Sequence, residues 1–126
     1  MFVTTIPQYV LGITNAKLDL TTTDATILYT APSGADFNSS VITSILVHDD
    51  SNNGSTLTVT ITDSLSSVFE IFEKAIAGHA TEELLTKDLA LKEGEILKVQ
   101  AADANRLLVV ASIQEFAIHR TPQSDL

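Results

Sequence analysis

The clearest pattern in the chain is the unbroken alternation Thr56-Leu57-Thr58-Val59-Thr60-Ile61-Thr62. A period of two belongs to a pleated strand, whose successive side chains point to opposite faces. Leu57, Val59 and Ile61 are expected to face a core and the threonines to face water, in an antiparallel sheet with one wet face. Thr suits that face because its β-branched side chain fits a half-solvated pleat. With 16 Thr and 11 Ser in 126 residues, the chain has ample material for such faces.

Other runs follow the same logic. Ala25–Ala31 reads as a strand that stops at the turn Pro32-Ser33-Gly34. Val41–His48 runs into Asp49-Asp50-Ser51-Asn52-Asn53-Gly54, where the Asn-Gly pair favours a tight turn, so Val41–His48 and Thr56–Thr62 are expected to pair as a hairpin. A strand over Val68–Phe72 is followed by a turn around Gly78. Leu84–Leu91 fits either one helical turn, on the Leu85/Leu89 pair, or two short strands. Lys92-Glu93-Gly94-Glu95 is a turn, Ile96–Ala101 is a strand with Leu97 and Val99 inward, and Asp103-Ala104-Asn105 turns again. Arg106–Ile118 is apolar on both sides, as a central strand is. Together these make about seven or eight short strands with turn signals every ~8–12 residues, which predicts an all-β fold: a single antiparallel β-sandwich, jelly-roll-like or immunoglobulin-like in strand order.

The ends fall outside that pattern. Residues 1–17 are expected to form an extended N-terminal arm, residues 18–118 the sandwich domain and residues 119–126 a solvated tail. The arm carries Phe2, Val3, Ile6, Tyr9, Val10, Leu11 and Ile13, which is too apolar for a free tail, so these residues are expected to form a partner interface. An arm of this kind can add a strand to a neighbour's sheet edge through main-chain hydrogen bonds.

Charge and composition narrow the function. The length suits one domain, and area scaling lets such a chain bury about two-thirds of its unfolded surface. Sixteen acidic residues against seven basic ones give a net charge of −9, which argues against nucleic acid as a partner, since phosphate contacts need clustered Lys and Arg. No apolar run is long enough to span a bilayer and the first residues lack a basic leader, so neither a membrane helix nor a signal peptide is expected. There is no Cys, hence no disulfide framework. Mean hydropathy is nonetheless +0.23, which points to a very apolar core or to surface covered by partners.

Candidate chemistry is sparse. Asp49-x-Ser51-x-Asn53-Gly54 has the opening of a calcium loop, but its twelfth position is Thr60, where a bidentate carboxylate is needed. A polar turn with side chains bonded to backbone accounts for it better. His48, His79 and His119 are far apart and fit no zinc spacing. Glu70/Glu73 and Glu82/Glu83 pair carboxylates, yet nothing around them suggests the desolvated pocket that a general acid needs. No nucleophile elbow, His-Glu-x-x-His run or glycine-rich phosphate loop occurs. No catalytic residue, no metal site and no cofactor is expected, and the chain is read as a non-enzyme.

Several segments resemble one group of proteins. Leu28-Tyr29-Thr30-Ala31-Pro32-Ser33-Gly34 is similar to the strand and turn that open small tailed-phage virion proteins. Val41-Ile42-Thr43-Ser44-Ile45-Leu46-Val47-His48 and Ser55-Thr56-Leu57-Thr58-Val59-Thr60-Ile61 resemble their next two strands. The run Leu89–Ala101 and the closing Leu107–Glu115, with its Ser112-x-x-Glu115, resemble their ending, so the likeness covers about residues 25 to 116. It is a likeness of strands and turns without a chemical signature.

The resemblance implies a non-enzymatic virion structural protein, foremost a capsid cement or decoration protein on the outer surface of the shell, made in the host cytoplasm. The implied partners are the major capsid protein or other virion proteins and further copies of the chain, with a trimer expected. A tail or fibre adaptor is the variant within the same class. A small carbohydrate-binding β-sandwich module is the alternative from another class; against it, the chain has no Trp and two Tyr with which to stack on sugars.

Overall fold

A computed structural model describes residues 8–34 and 37–118, with the side chains of 12–34, 37 and 39–117. Nine strands occur among the described residues: β1 (Gln8–Asp19), β2 (Thr26–Thr30), β3 (Phe37–Asp49), β4 (Ser55–Thr62), β5 (Val68–Ile76), β6 (Thr81–Glu83), β7 (Leu89–Leu91), β8 (Ile96–Ala101) and β9 (Leu107–Ile118). They form a five-stranded sheet, β1-β9-β3-β6 with β7 also on β3, and a four-stranded sheet, β2-β8-β4-β5. All pairings are antiparallel.

The pairing is nested. β4 pairs with β5, β3 with β6 and β7, β2 with β8, and β1 with β9, as in one long hairpin rolled over on itself. That is the jelly-roll path. The immunoglobulin-like alternative would place the first two strands side by side in one sheet, whereas β1 and β2 lie in different sheets.

The core lies between the sheets and follows the alternation. Leu57 and Val59 of β4, Leu97 and Val99 of β8, Ile42, Ile45 and Val47 of β3, and Val109, Ala111 and Ile113 of β9 are all buried. Strict alternation fails in β3, where Ile42 and Ile45 are both inward, because a bulge between Ile42 and Ser44 resets the parity. β9 lies between β1 and β3, the central position that its two apolar sides predict.

Three expectations change. Val41–His48 and Thr56–Thr62 do not pair: β3 and β4 belong to different sheets and residues 50–54 cross between them. A two-residue type I′ turn needs positive φ at both central residues, but here Gly54 has it (φ 73) and Asn53 does not. Gly54 and Gly78 instead let two loops close on each other, for a Cβ on Gly54 would lie 2.7 Å from the Ile76 carbonyl oxygen and one on Gly78 2.6 Å from that of Asn52. Next, Leu84–Leu91 contains no helical turn; only its end, Leu89–Leu91, is a strand.

The third change concerns the arm. Gln8 to Lys17, placed in it by the sequence, are strand β1, so the sheet begins ahead of the boundary drawn at residue 18. The physical reason is register. Ala16 and Leu18 pack on the core while Ile13, Asn15, Lys17 and Asp19 stay exposed, a period of two set by pairing with β9. Residues 1–7 and the tail over 119–126 lie outside the described residues.

Candidate functional site

The side chains of the five-stranded sheet that point away from the core come from β1, β9 and β3 in register. One row is Ile13, Gln114 and Val41; the next is Asn15, Ser112 and Ser44; the third is Lys17, Val110 and Leu46; the fourth is Asp19, Leu108 and His48. Phe116 continues the face beyond the first row, opposite Ser39. Two apolar patches result, one of Ile13, Val41 and Phe116 and one of Val110, Leu46 and Leu108. The polar row separates them, with Ser112 Oγ donating to Asn15 Oδ1 at 3.3 Å. Ile13 is 73% exposed and Leu46 41%. Antiparallel sheets normally turn polar side chains to water, so an apolar outer face marks a surface for contact.

Beside the second patch is an open hollow of about 290 Å³ between β1 and β9, edged by the outward side chains of Leu108 and Val110 and of Lys17 and Asp19, with Leu18 and Val109, whose side chains pack toward the core, between them.

A second exposed apolar group sits on the β4–β5 hairpin. Leu65 is 85% exposed, Val68 62% and Phe69 56%. The turn beneath them is braced: Asp63 Oδ1 accepts from the backbone N–H groups of Leu65 and Ser67, both at 2.9 Å, and Ser66 takes a positive φ of 66°. An Asp that bonds its own turn in this way holds it without tertiary support, so Leu65 is displayed on a defined loop.

The polar groups singled out in the sequence hold loops together. Asp49 is buried at the end of β3, and its Oδ1 accepts from the N–H (2.7 Å) and the hydroxyl (2.6 Å) of Ser51, while Asn53 N–H donates to Ser51 Oγ at 3.2 Å. This is the polar turn favoured over a calcium loop. Burial pushes the Asp49 carboxyl up, but the Ser51 bonds and the charges of Arg106 and His79 prevail and hold it below its ordinary 3.8. Its Oδ2 is buried without a hydrogen-bond partner among the described residues.

Glu83 spans the gap between β6 and β7. Its carboxylate accepts from the Ser44 hydroxyl, from Ile45 N–H at 2.8 Å and from Leu85 N–H at 3.2 Å, so it stands where a continuous strand would have paired with β3. Glu70 and Glu73 are exposed on β5, opposite Thr60 and Thr58. His48 pairs with Thr81 Oγ1 at 2.7 Å and His79 with Asn52 Oδ1 at 2.5 Å; His119 lies outside the described residues.

A polar hollow of about 460 Å³ near Gly54 is edged by Ser55, Asp103 and Arg106. There Ser55 Oγ donates to Asp103 Oδ2 (3.0 Å), Arg106 Nη1 donates to the Gly54 carbonyl (2.8 Å), and Arg106 pairs with Asp103 at 3.4 Å. These groups spend their bonding on one another. Among the described residues, no three His, Asp or Glu side chains are grouped to hold a metal ion.

Of the interface residues expected from the sequence, Ile13 is the one whose side chain is described, and it belongs to the first patch. Tyr9 and Val10 are placed by their backbones, opposite Ala117 and Phe116, and Leu11 falls at the bulge between Val10 and Gly12. Phe2, Val3 and Ile6 lie outside the described residues. Sequence reasoning missed Val41, Leu46, Leu108, Val110 and Phe116 as surface. The two-sided apolarity of Arg106–Ile118 was the signal, and it predicts a central strand without saying which face is covered.

No family model and no curated protein matches the sequence. Solved structures do. A Bacillus endospore appendage protein, described as one of a novel family of disulfide-linked pili, superposes with a TM-score of 0.54 at 10% identity, over 92% of this chain and 90% of that one. Eiger TNF from S. frugiperda gives 0.43 at 11% identity, over 90% of this chain and 99% of that one. A protein of the infectious bursal disease virus Gx strain gives 0.44 at 13% identity, over 90% of this chain and 32% of that one. The appendage protein shares the fold.

Proposed function

We propose that the chain is a non-enzymatic structural protein of a virion, a cement or decoration protein that beds part of its five-stranded sheet on the outer surface of a capsid shell. The observation that carries this reading is the outward-facing apolar patch at the end of the sheet where β1 begins, in which Ile13 is 73% exposed and Val41 and Phe116 are half-buried among the described residues. Burying apolar area contributes about 25 cal/mol per Å², and a decoration protein repeats that gain at every copy across the joints of a shell. The excess of acidic residues then faces outward, away from packaged genome, because like charges repel. The chain has no Cys, so its assembly is not disulfide-linked as the endospore pili are described to be. Copies of the chain associate with one another as well as with the shell.

The test is localisation with a contact variant. Antibody against the chain, applied to purified particles from cells carrying the gene, should label the head exterior. Ile13→Asp, at a position 73% exposed, should leave the fold intact and lower head occupancy at least tenfold. Label confined to tails would favour the adaptor variant. Unlabelled particles together with binding on a glycan array would overturn the virion reading in favour of a carbohydrate module. Deleting residues 1–7 leaves β1 whole, whereas a deletion to residue 16 removes most of that strand and tests folding instead.

A further inference from the structure

The hairpin tip and the hollow between β1 and β9 are both exposed, and no single copy can join them. The sheets face each other with β1 over β2 and β3 over β5, so β1 and β5 lie at opposite lateral edges of the sandwich. Tip and hollow also lie at opposite ends. Thr62, at the base of the tip, is level with Ile96 and Thr30. The hollow is level with the other end of β4, where Ala102 N–H bonds the Thr56 carbonyl, Asn105 N–H the Leu20 carbonyl and Leu20 N–H the Leu107 carbonyl. Strand β4, at ~3.3 Å per residue, separates these ends by about 25 Å.

We propose that Leu65, with Val68 and Phe69 behind it, inserts into the hollow between Lys17–Asp19 and Leu108–Val110 of a second copy of the chain. Three observations choose a second copy as the occupant. The tip presents an apolar knob on a turn already fixed by Asp63, so little ordering cost attends its insertion. The hollow, about 290 Å³ and open to solvent, presents Leu108 and Val110 to a leucine-sized side chain. Lys17, at the edge of the hollow, can face Asp63 and Glu70 beside the knob, an opposite-charge contact that a second copy of this chain supplies.

Because knob and hollow are different surfaces, the contact is heterologous: it closes into a ring if the rotation permits and otherwise runs on as an open chain. It uses the second apolar patch and leaves Ile13, Val41 and Phe116 free. This inference deepens the self-association part of the reading above and rests on it.

Sedimentation of the full chain over a range of concentrations tests it. The unmodified chain should form oligomers, and Leu65→Asp (knob) and Leu108→Asp (hollow) should each be monomeric. An equimolar mixture of the two should form a two-chain species, since one supplies an intact hollow and the other an intact knob. Lys17→Glu, at an exposed position, replaces the hollow variant if Leu108→Asp does not fold, and should shift the midpoint of association at least threefold. Oligomers that persist unchanged in Leu65→Asp, or a mixture that stays monomeric, would overturn this contact alone. An unmodified chain that stays monomeric up to its solubility limit would overturn both this contact and self-association.

Discussion

Tyr29 on β2 donates its phenolic O–H to Glu115 Oε2 on β9, 2.5 Å away, and so ties one sheet to the other through the core. Ser40, the register partner of Glu115 on β3, has its Oγ 2.6 Å from the Tyr29 hydroxyl oxygen, and with the phenol's one proton committed to Glu115, the Ser40 hydroxyl is the donor. Burial, then the Glu115 carboxylate, push the Tyr29 pKa above its ordinary 10.0. A pKa raised on folding contributes stability that is complete below the unfolded value and is lost as pH rises through the folded one. One of the two tyrosines should therefore keep its proton past pH 10 in the folded chain, read as phenolate absorbance, and stability should decline in stronger base. Tyr29→Phe should cost about 1–3 kcal/mol at neutral pH by denaturant titration, because it strips the donor from Glu115.

Asp49 has the opposite sign. Its folded pKa lies below 3.8, so its contribution is complete above that value and lost as pH falls through the lower folded value. Asp49→Asn should destabilise the chain by about 1–3 kcal/mol in neutral buffer, with the difference shrinking in acid below 3.8. Parallel denaturant titrations at the two conditions check this. A difference that grows in acid would mean that the Ser51 bonds and the Arg106 and His79 charges do not hold the carboxylate.

Glu83→Ala removes the carboxylate that caps the gap between β6 and β7. A loss of about 1.5–3 kcal/mol is expected, the range for hydrogen bonds to charged groups. Hydrogen exchange should locate it, with the Ile45 amide, now bonded at 2.8 Å, losing protection ahead of its neighbours in β3.

Gly54→Ala forces a side chain onto a residue with φ 73 and places Cβ 2.7 Å from the Ile76 carbonyl. The strained backbone alone costs on the order of 1–3 kcal/mol, and the loops must also part. Calorimetry should show a lower Tm. A neutral result would show that the 50–54 and 77–80 loops separate without cost.

The sequence by itself determined what depends on near neighbours. Alternation in Thr56–Thr62 and Ile96–Ala101 assigned both strands and their inward residues, because side-chain period is local geometry. The Gly94 turn was legible for the same reason. Pairing was not: Asn53-Gly54 looks like a hairpin, yet β3 and β4 part into different sheets, since partner choice depends on which faces close over a common core. Nor could period alone show that Gln8–Lys17 has β9 for a partner, which turns an arm into an edge strand. Leu107–Ile118 makes the point most sharply. Its two apolar faces were plain in the sequence, but only the fold decided that one faces the core and the other, with Leu108, Val110 and Phe116, faces outward. A strand's sequence records how apolar each face is; what covers that face is a property of the other chain segments, or other chains, packed against it.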